Sequence, residues 1–292
     1  MRDYLEYYIV KFFLLLTKLL PISLVYKLFN ALAILLFKLI KSRRKIAIKN
    51  LTNAYPDKSN EDIQQIALDN FKSLGITISE ILLILTNRLD IEEKIINKKE
   101  ILQKLASYSK DKGIIFTTAH FGNWEILAHF LAKNGYPMSA IGRKGNNTLI
   151  EDRLTTPFRE KYGNINIHKS QAMSQMVRTL RGKRNVGLLI DQKAGNINST
   201  KANFFGRATN TTISVASMKL KYNPFVIPMF LRRKNDGFYE IIMYDSIEYM
   251  GEDQENKEDK IQAMTQKYND IFEEVVRSAP EQWFWMHNRW KI

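Results

Sequence analysis

One histidine and one glutamate stand five residues apart where a strand-like segment meets a helix-like one. His120 follows the stretch GIIFTTA, and Glu125 lies at the start of the apolar-periodic stretch WEILAHFLAKNG. The chain has only four histidines. On one continuous helix, positions five apart point about 140° away from each other, so these side chains can meet only if the chain turns between them. Gly122 permits such a turn.

A histidine–carboxylate pair at this junction would supply a general base. Glu125 would hold one imidazole nitrogen, leaving the other free to take a proton from a hydroxyl group. The N-terminus of the following helix also favours the negative charge of Glu125. Two alternatives remain open: His120 as a cap or loop residue, and a pair between Glu125 and His129 on one helical face. A metal site formed by these three residues lacks the HExxH spacing and a further ligand, so we expect no metal.

The elements that would position these residues alternate between strand and helix. This order predicts an α/β domain with a mainly parallel sheet flanked by helices. Ligands of such sheets lie beyond the carboxyl ends of the strands. Asp191 follows the strand-like stretch NVGLLI as His120 follows GIIFTTA, so we expect both at one edge of the sheet. A long helix is predicted after Ser59 as its N-cap, and residues 192–210 are predicted to form a loop.

Residues 4–40 form a long apolar segment that is interrupted by four lysines and divided by Pro21. Within each predicted helix the lysines fall about 20° apart on a helical wheel. This pattern predicts two amphipathic helices that lie in the membrane interface, with the lysines near anionic headgroups. A single tilted span, a signal peptide and a pair of core helices are the alternatives, and lysines inside the apolar run argue against a signal peptide. We divide the chain into a membrane-associating segment, 1–41, and a catalytic domain, 42–292.

The composition is basic and free of cysteine. Lys and Arg total 44 against 30 Asp and Glu, which gives a formal net charge of +14. Such a charge favours acidic partners such as an anionic membrane, a phosphorylated substrate or an acidic carrier protein. Without cysteine, disulfides, thiolate–zinc sites and a cysteine nucleophile are excluded. The basic residues are dispersed, so we expect no nucleic-acid binding; the run RTLRGKR (178–184) is either a solvated helix end or a carrier-docking surface.

Five motifs, in order along most of the chain, resemble one enzyme family. HFGNWE at 120–125 resembles the HxxxxE motif of the bacterial lipid A biosynthesis acyltransferases, also described as the lauroyl/myristoyl acyltransferase family. The other four are IGRKGNN with REKYG, GLLIDQKAG, FFGRATNTT and the tryptophan-rich end EQWFWMHNRWK. The related glycerolipid acyltransferases carry HxxxxD and an EGTR-like block, and this sequence has neither.

The resemblance implies a glycerolipid-acyltransferase-like fold and an acyltransferase at the cytoplasmic face of the inner membrane. By that resemblance, acyl-acyl carrier protein donates a fatty acyl chain to a hydroxyl of a lipid A precursor, as a late secondary acylation. The hydroxyl attacks the thioester directly, so neither a covalent enzyme intermediate nor a cofactor is expected. His120 is then the general base and Glu125 its orienter. The resemblance also makes four residues candidates for substrate binding: Arg143, Arg159, Asp191 and Gln192. Of these, Arg143 is the candidate for binding the acceptor phosphate or a developing oxyanion.

Two other functions remain as alternatives. One is a lysophospholipid or other glycolipid O-acyltransferase of the same fold. The other is a non-catalytic basic protein that binds a membrane or a nucleic acid, for which a steep salt dependence of binding would be diagnostic.

Overall fold

Twelve α-helices surround the sheet in the part of the chain that the computed structural model describes, residues 1–142, 145–168 and 172–290. A π-helical turn, Glu151–Thr155, joins the eighth and ninth helices, and a short 3₁₀ turn, Pro280–Gln282, follows the last. In chain order the helices are α1 (Arg2–Leu19), α2 (Ile22–Leu39), α3 (Lys41–Ala54), α4 (Asn60–Leu85), α5 (Ile91–Lys94), α6 (Lys98–Ala106), α7 (Trp124–Lys133), α8 (Thr148–Ile150), α9 (Thr156–Glu160), α10 (Ala172–Arg181), α11 (Ser214–Tyr222) and α12 (Lys257–Ser278).

Six strands form one sheet in the order β3-β2-β4-β1-β7-β8. All neighbouring pairs are parallel except β7 and β8, which form an antiparallel hairpin at one edge. The predicted mainly parallel sheet flanked by helices is confirmed. The strands of this sheet are β1 (Ile114–Thr118), β2 (Met138–Gly142), β3 (Ile165–His168), β4 (Asn185–Leu189), β7 (Phe225–Arg233) and β8 (Tyr239–Met243).

Each face of the sheet carries its own hydrophobic layer, because alternate strand residues point to opposite faces. Ile115 and Val186 face the layer built with α10, α11 and α12, whereas Phe116 and Ile227 face the layer built with α5, α6 and α7. The second layer matters for function because α7 begins directly after the loop that carries His120.

The predicted loop at residues 192–210 is wrong for its second half, which forms a separate two-stranded hairpin. β5 (Ser199–Phe204) pairs with β6 (Arg207–Thr212) around a turn in which Phe205 and Gly206 have φ of 51° and 69°. Two consecutive positive φ values fit the tight turns that favour hairpins. Most side chains of both strands are polar, so the sequence shows little of the alternation that is typical of a strand. Ala202 and Phe204 of β5 are buried against the rest of the protein, and this packing stabilises the hairpin.

Both predicted N-terminal helices are present and meet at Pro21. α2 packs on α4 through Val25 and Phe29, and the backbones approach so closely that a Cβ on Gly75 would lie 2.8 Å from the Phe29 carbonyl oxygen. Helix α2 is also long and apolar enough to cross a membrane, judged by length and composition. On α1 a stripe of large apolar side chains faces outward: Tyr4, Leu5, Tyr8, Ile9, Phe12, Leu15 and Leu19.

The predicted N-cap of the long fourth helix is confirmed. Ser59 Oγ accepts a hydrogen bond from the Asp62 backbone N–H at 3.1 Å and donates to the Asp62 carboxylate at 3.0 Å. The first of these bonds satisfies one of the free backbone N–H groups in the first turn of α4. This helix matters for the site because its later turns pack against the loop that follows His120.

Candidate active site

His120 and Asp191 lie together at the carboxyl edge of the sheet. Each stands two residues beyond its strand, β1 and β4, which are parallel neighbours with Thr118 opposite Leu189. Asp191 Oδ1 lies 2.9 Å from His120 Nδ1, and Oδ2 accepts the His120 backbone N–H at 3.1 Å. The prediction that both residues share one edge is confirmed, and the structure adds that they are in direct contact.

The Asp191 carboxylate is fully buried and has a third donor, the indole N–H of Trp283 at 2.7 Å. Burial by itself raises the pKa of Asp191, but the His120 imidazole and the hydrogen bonds outweigh it and hold that pKa below its usual value. An ionised carboxylate only accepts hydrogen bonds, so His120 Nδ1 carries a proton, and in the neutral imidazole the lone pair is then on Nε2. Among the described residues none hydrogen-bonds Nε2, and the imidazole lines a cavity. This geometry would allow His120 Nε2 to accept a proton from a bound hydroxyl.

Glu125 contacts Arg159 and is not hydrogen-bonded to His120. Its carboxylate accepts from the Arg159 Nη2 at 2.6 Å and from Nε at 3.1 Å. The predicted contact between Glu125 and the imidazole is made by Asp191 instead, because Asp191 comes from the adjacent strand and occupies Nδ1. The first turn of α7 carries Glu125 to the side of α9, where Arg159 lies. The pKa of Arg159 is lowered by burial but raised more by Glu125, so the guanidinium stays charged.

A cavity of about 420 Å³ runs beneath α7 from the carboxyl edge of the sheet. Its polar end is lined by His120, Glu125, Arg159 and Gln192. Its interior is apolar and bounded by the second hydrophobic layer. The side chains that line the interior include Phe116, Leu127, Leu131, Met138 and Met229. The site thus combines a base and a charged pair with a hydrocarbon-lined space.

Small residues on β2 and β4 create the space. Ala140 and Gly187 stand opposite each other in the sheet and both line the cavity. A Cβ on Gly187 would lie only 2.4 Å from Met138 Sδ, so a side chain there would push this methionine out of its place. Met138 closes the cavity at the amino end of the strands.

The other predicted site residues have different outcomes. Gln192 lies at the cavity, with its Nε2 3.4 Å from His120 Nδ1. Arg143 lies outside the described residues. His129, the alternative partner of Glu125 in the sequence analysis, is buried against Phe158 and has no hydrogen-bond partner at either nitrogen within the described chain, so it makes no bond to Glu125. Burial lowers the pKa of His129 to about 4, which keeps the ring neutral.

The tryptophan-rich end contributes to the site, which the sequence reasoning missed. Trp283 and Trp285 are both buried in the hydrophobic core, and Trp283 also holds Asp191 by its indole N–H. Arg289 is fully buried and donates to the Gln192 carbonyl at 3.1 Å, which holds the segment after β4. Burial lowers the pKa of Arg289 to about 10, although the Asp191 charge opposes this effect. A run of aromatic residues with one arginine was the only available signal.

No group of three or more His, Asp or Glu side chains in the described ranges could hold a metal ion. The chemistry that the side chains themselves support is proton transfer by His120 beside a charged Glu125–Arg159 pair.

Comparison with known proteins gives one consistent result. A family model described as bacterial lipid A biosynthesis acyltransferase matches residues 1–292. The lipid A biosynthesis lauroyltransferase of Escherichia coli K12 is 24% identical over 93% of this chain and 87% of that protein. A lipid A biosynthesis acyltransferase of Haemophilus influenzae is 26% identical over 87% of this chain and 79% of its own length. The palmitoleoyltransferase of lipid A biosynthesis from Escherichia coli K12 is 23% identical over 86% and 80%.

Proposed function

Because the chain belongs to the bacterial lipid A biosynthesis acyltransferase family, we propose that it moves a fatty acyl chain from acyl-acyl carrier protein to a hydroxyl of a lipid A precursor. The proposed step is a late secondary acylation in the biosynthesis of lipopolysaccharide or lipooligosaccharide. The observation that carries this proposal is the open Nε2 of His120, whose Nδ1 is held by the buried Asp191. In the proposed reaction a hydroxyl group accepts the acyl chain. A base that removes the hydroxyl proton would promote this attack.

In the proposed mechanism, His120 Nε2 takes the proton of the acceptor hydroxyl as its oxygen attacks the thioester carbonyl carbon. A tetrahedral intermediate forms, and its collapse breaks the carbon–sulfur bond. The departing sulfur takes the proton from the imidazolium, so the carrier leaves as a thiol and the acceptor as an ester. Asp191 stabilises the imidazolium while it exists, as the aspartate does in Ser-His-Asp triads. No side chain of the enzyme is acylated.

Glu125 remains a catalytic candidate, with Arg159 as the group through which it acts. The carboxylate fixes the planar guanidinium by two donors, and such a charge-assisted pair is geometrically specific. Placed at the polar end of the cavity, Arg159 would stabilise negative charge on the thioester oxygen or bind an acceptor phosphate. Arg143 follows Gly142, which also lines the cavity, and the proposal assigns it the same acceptor phosphate.

The apolar interior of the cavity suits the acyl chain, with the thioester at the polar end beside His120. The Met138–Gly187 contact would then limit how far the chain reaches. One methylene in such a pocket changes discrimination by about 1–3 kcal/mol, so the depth would select chain length.

The proposal places the protein on the cytoplasmic face of the inner membrane, with residues 1–41 in the interface. Helix α1 lies beside the segment that follows β2, where Asn147 Nδ2 donates to the Asp3 carbonyl at 2.8 Å. A lipid acceptor entering from the surface that α1 contacts would therefore reach the polar end of the cavity. The exposed apolar stripe of α1 supports this placement, since interfacial helices bury such a face among lipids.

The acidic carrier protein would dock at the carboxyl edge of the sheet, where its thioester must arrive. The basic run 178–184 does not suit this role. It spans the last turn of α10 and the turn that leads to β4, and the Arg184 carbonyl lies against Gly113, just before β1. That position is the amino edge of the sheet, opposite His120.

A transfer assay tests the proposal. Purified protein in anionic lipid vesicles is given a lipid A precursor and acyl-acyl carrier protein, and the lipid is analysed by mass spectrometry. We expect a product heavier by one acyl group and free carrier thiol in equal amount. Acylation of a lysophospholipid but not of the lipid A precursor would support the alternative acceptor and contradict the proposal.

A further inference from the structure

The two proposed catalytic side chains, His120 and Glu125, are held in place from opposite sides. His120 is fixed from the sheet by Asp191, whereas Glu125 lies in the first turn of α7. The start of α7 is set by its N-cap, Asn123, whose Oδ1 accepts the Ile126 backbone N–H at 3.2 Å. The position of Glu125 relative to His120 therefore depends on what holds Asn123.

Asn123 is held by a buried carboxylate on α4. Its Nδ2 donates to Glu80 Oε2 at 2.9 Å, and both side chains are buried. One turn earlier on the same face of α4, the Thr77 hydroxyl donates to the Gly122 carbonyl at 3.0 Å. Gly122 has φ +57°, and a Cβ there would lie 1.7 Å from the Leu231 carbonyl oxygen, so this turn is pressed between β7 and α4.

Glu80 collects donors from three parts of the chain. Besides Asn123, the hydroxyl of Tyr239 on β8 donates at 2.6 Å and that of Tyr26 on α2 at 3.2 Å. Among the described residues no Lys or Arg forms an ion pair with it; Arg233 donates to the Tyr239 hydroxyl at 2.9 Å and attracts Glu80 through its charge without direct contact. Burying a carboxylate whose direct donors are all neutral costs free energy. What the carboxylate supplies is one fixed point that accepts three donors.

We propose that Glu80 is a positioning residue for Glu125: through Asn123 it fixes the first turn of α7, and with it the Glu125–Arg159 pair opposite His120. The inference rests on the proposed function, in which Glu125 serves the acyl transfer. Glu80 itself does not line the cavity. Because Tyr26 belongs to α2, the same carboxylate also joins the N-terminal helices to the loop after His120.

The test is a double-mutant cycle on kcat with Glu80→Met and Glu125→Gln. Methionine has nearly the length of glutamate and no oxygen, so the Asn123 contact is broken at nearly constant shape; glutamine would keep it, because its oxygen can face Asn123 and Tyr239 while its NH₂ donates to the Tyr26 hydroxyl. A misplacement of about 1 Å costs roughly 10²-fold in rate, and we expect Glu80→Met to lower kcat by that factor with little change in KM for the acyl donor. If Glu80 acts through Glu125, the double variant is no slower than Glu125→Gln alone.

The control is Glu92→Met on α5, which contacts the other end of α7. Glu92 Oε1 accepts from Asn134 Nδ2 at 2.7 Å, and Asn134 is the C-cap of α7. This variant breaks a carboxylate–asparagine contact of the same kind without moving the first turn, so its kcat should stay near that of the unmodified protein. Equal losses in both variants would overturn the proposal, as would losses from Glu80→Met and Glu125→Gln that multiply.

Two further outcomes are informative. If Glu80→Met does not fold, as judged by circular dichroism, the pair Glu80→Gln with Asn123→Asp is measured, which exchanges donor and acceptor and keeps a helix-capping side chain. A folded pair with normal kcat supports the proposal, and a folded pair with low kcat contradicts it. A severe Glu125→Gln with a normal Glu80→Met overturns this inference alone, whereas a normal Glu125→Gln overturns the proposed role of Glu125 as well.

Discussion

Asp191→Asn changes the central hydrogen bond of the site while keeping its shape. The carboxylate accepts three donors, from His120 Nδ1, the His120 backbone and Trp283. An amide cannot accept all three. If its NH₂ faces the imidazole, Nδ1 becomes the acceptor and the proton moves to Nε2, which can no longer act as a base. If its oxygen faces the imidazole, the NH₂ opposes the two other donors.

The expected losses differ for activity and stability. The same substitution in a Ser-His-Asp triad lowers kcat by about 10⁴-fold through the wrong tautomer, and we expect a loss approaching that size. Buried donors left unpaired cost about 1–3 kcal/mol in the free energy of unfolding. The assay is steady-state acyl transfer at neutral pH, with urea unfolding of both proteins alongside. Turnover within a few-fold of normal, with Glu125→Gln inactive, would refute the assignment of Asp191 as the orienting residue.

The pH dependence of stability in Asp191→Asn provides a second test of the Asp191 charge. The pKa of Asp191 lies below its usual value of about 3.9, so its charge contributes stability that is present above that pH. This stability is lost as the pH falls through the lowered pKa of the folded state. The difference in unfolding free energy between the two proteins should therefore shrink in acid. A constant difference across this range would mean that the charge of Asp191 does not contribute.

Three further predictions concern other parts of the molecule. Burial lowers the pKa of His129 from 6.5 to about 4, so the unfolded state binds more protons between these values and stability falls as the pH drops from 6.5 to 4. His129→Leu should remove roughly 3 kcal/mol of this pH-dependent change in stability and keep most turnover. A pH profile of urea unfolding that is the same in both proteins would contradict this prediction. Gly187→Ala should move Met138 into the cavity and shift donor preference to shorter chains by about tenfold per methylene in competition assays, whereas unchanged preference would exclude the cavity as the chain site. The double variant Phe12→Ser, Leu19→Ser should sediment less with anionic vesicles than the unmodified protein. High salt should release part of the unmodified protein from the vesicles. Complete resistance of the unmodified protein to alkaline extraction would indicate a transmembrane span instead.

The sequence pattern predicts the sheet, because buried parallel strands read as short β-branched runs between helices. It does not predict β5 and β6. Their turn places Phe205 at positive φ, which is uncommon for a bulky residue, and the ring is held there by Arg277, whose guanidinium lies 4.5 Å from its centroid. Tertiary contacts of this kind leave no periodic signal in the local sequence.

The sequence predicted where the site residues lie on the sheet, but not which side chains contact each other. Strand ends place His120 and Asp191 at one edge, and this follows from the general position of ligands in parallel sheets. The spacing of His120 and Glu125 favoured a contact between near neighbours, but the imidazole pairs with a residue 71 positions away. Trp283 and Arg289 act from still more distant segments and Glu80 from 43 positions before Asn123, and only the folded chain brings them together.

The central claim is that His120 Nε2 removes the acceptor proton during acyl transfer. The most direct measurement is the single-turnover rate of acyl transfer from a pre-formed acyl-acyl carrier protein to the lipid A precursor, with His120→Ala against the unmodified protein. General base catalysis contributes typically about 10²–10⁴-fold, so the account predicts a loss in that range or down to background, with donor binding and fold intact. A His120→Ala protein that transfers the acyl chain at a near-normal rate would contradict it.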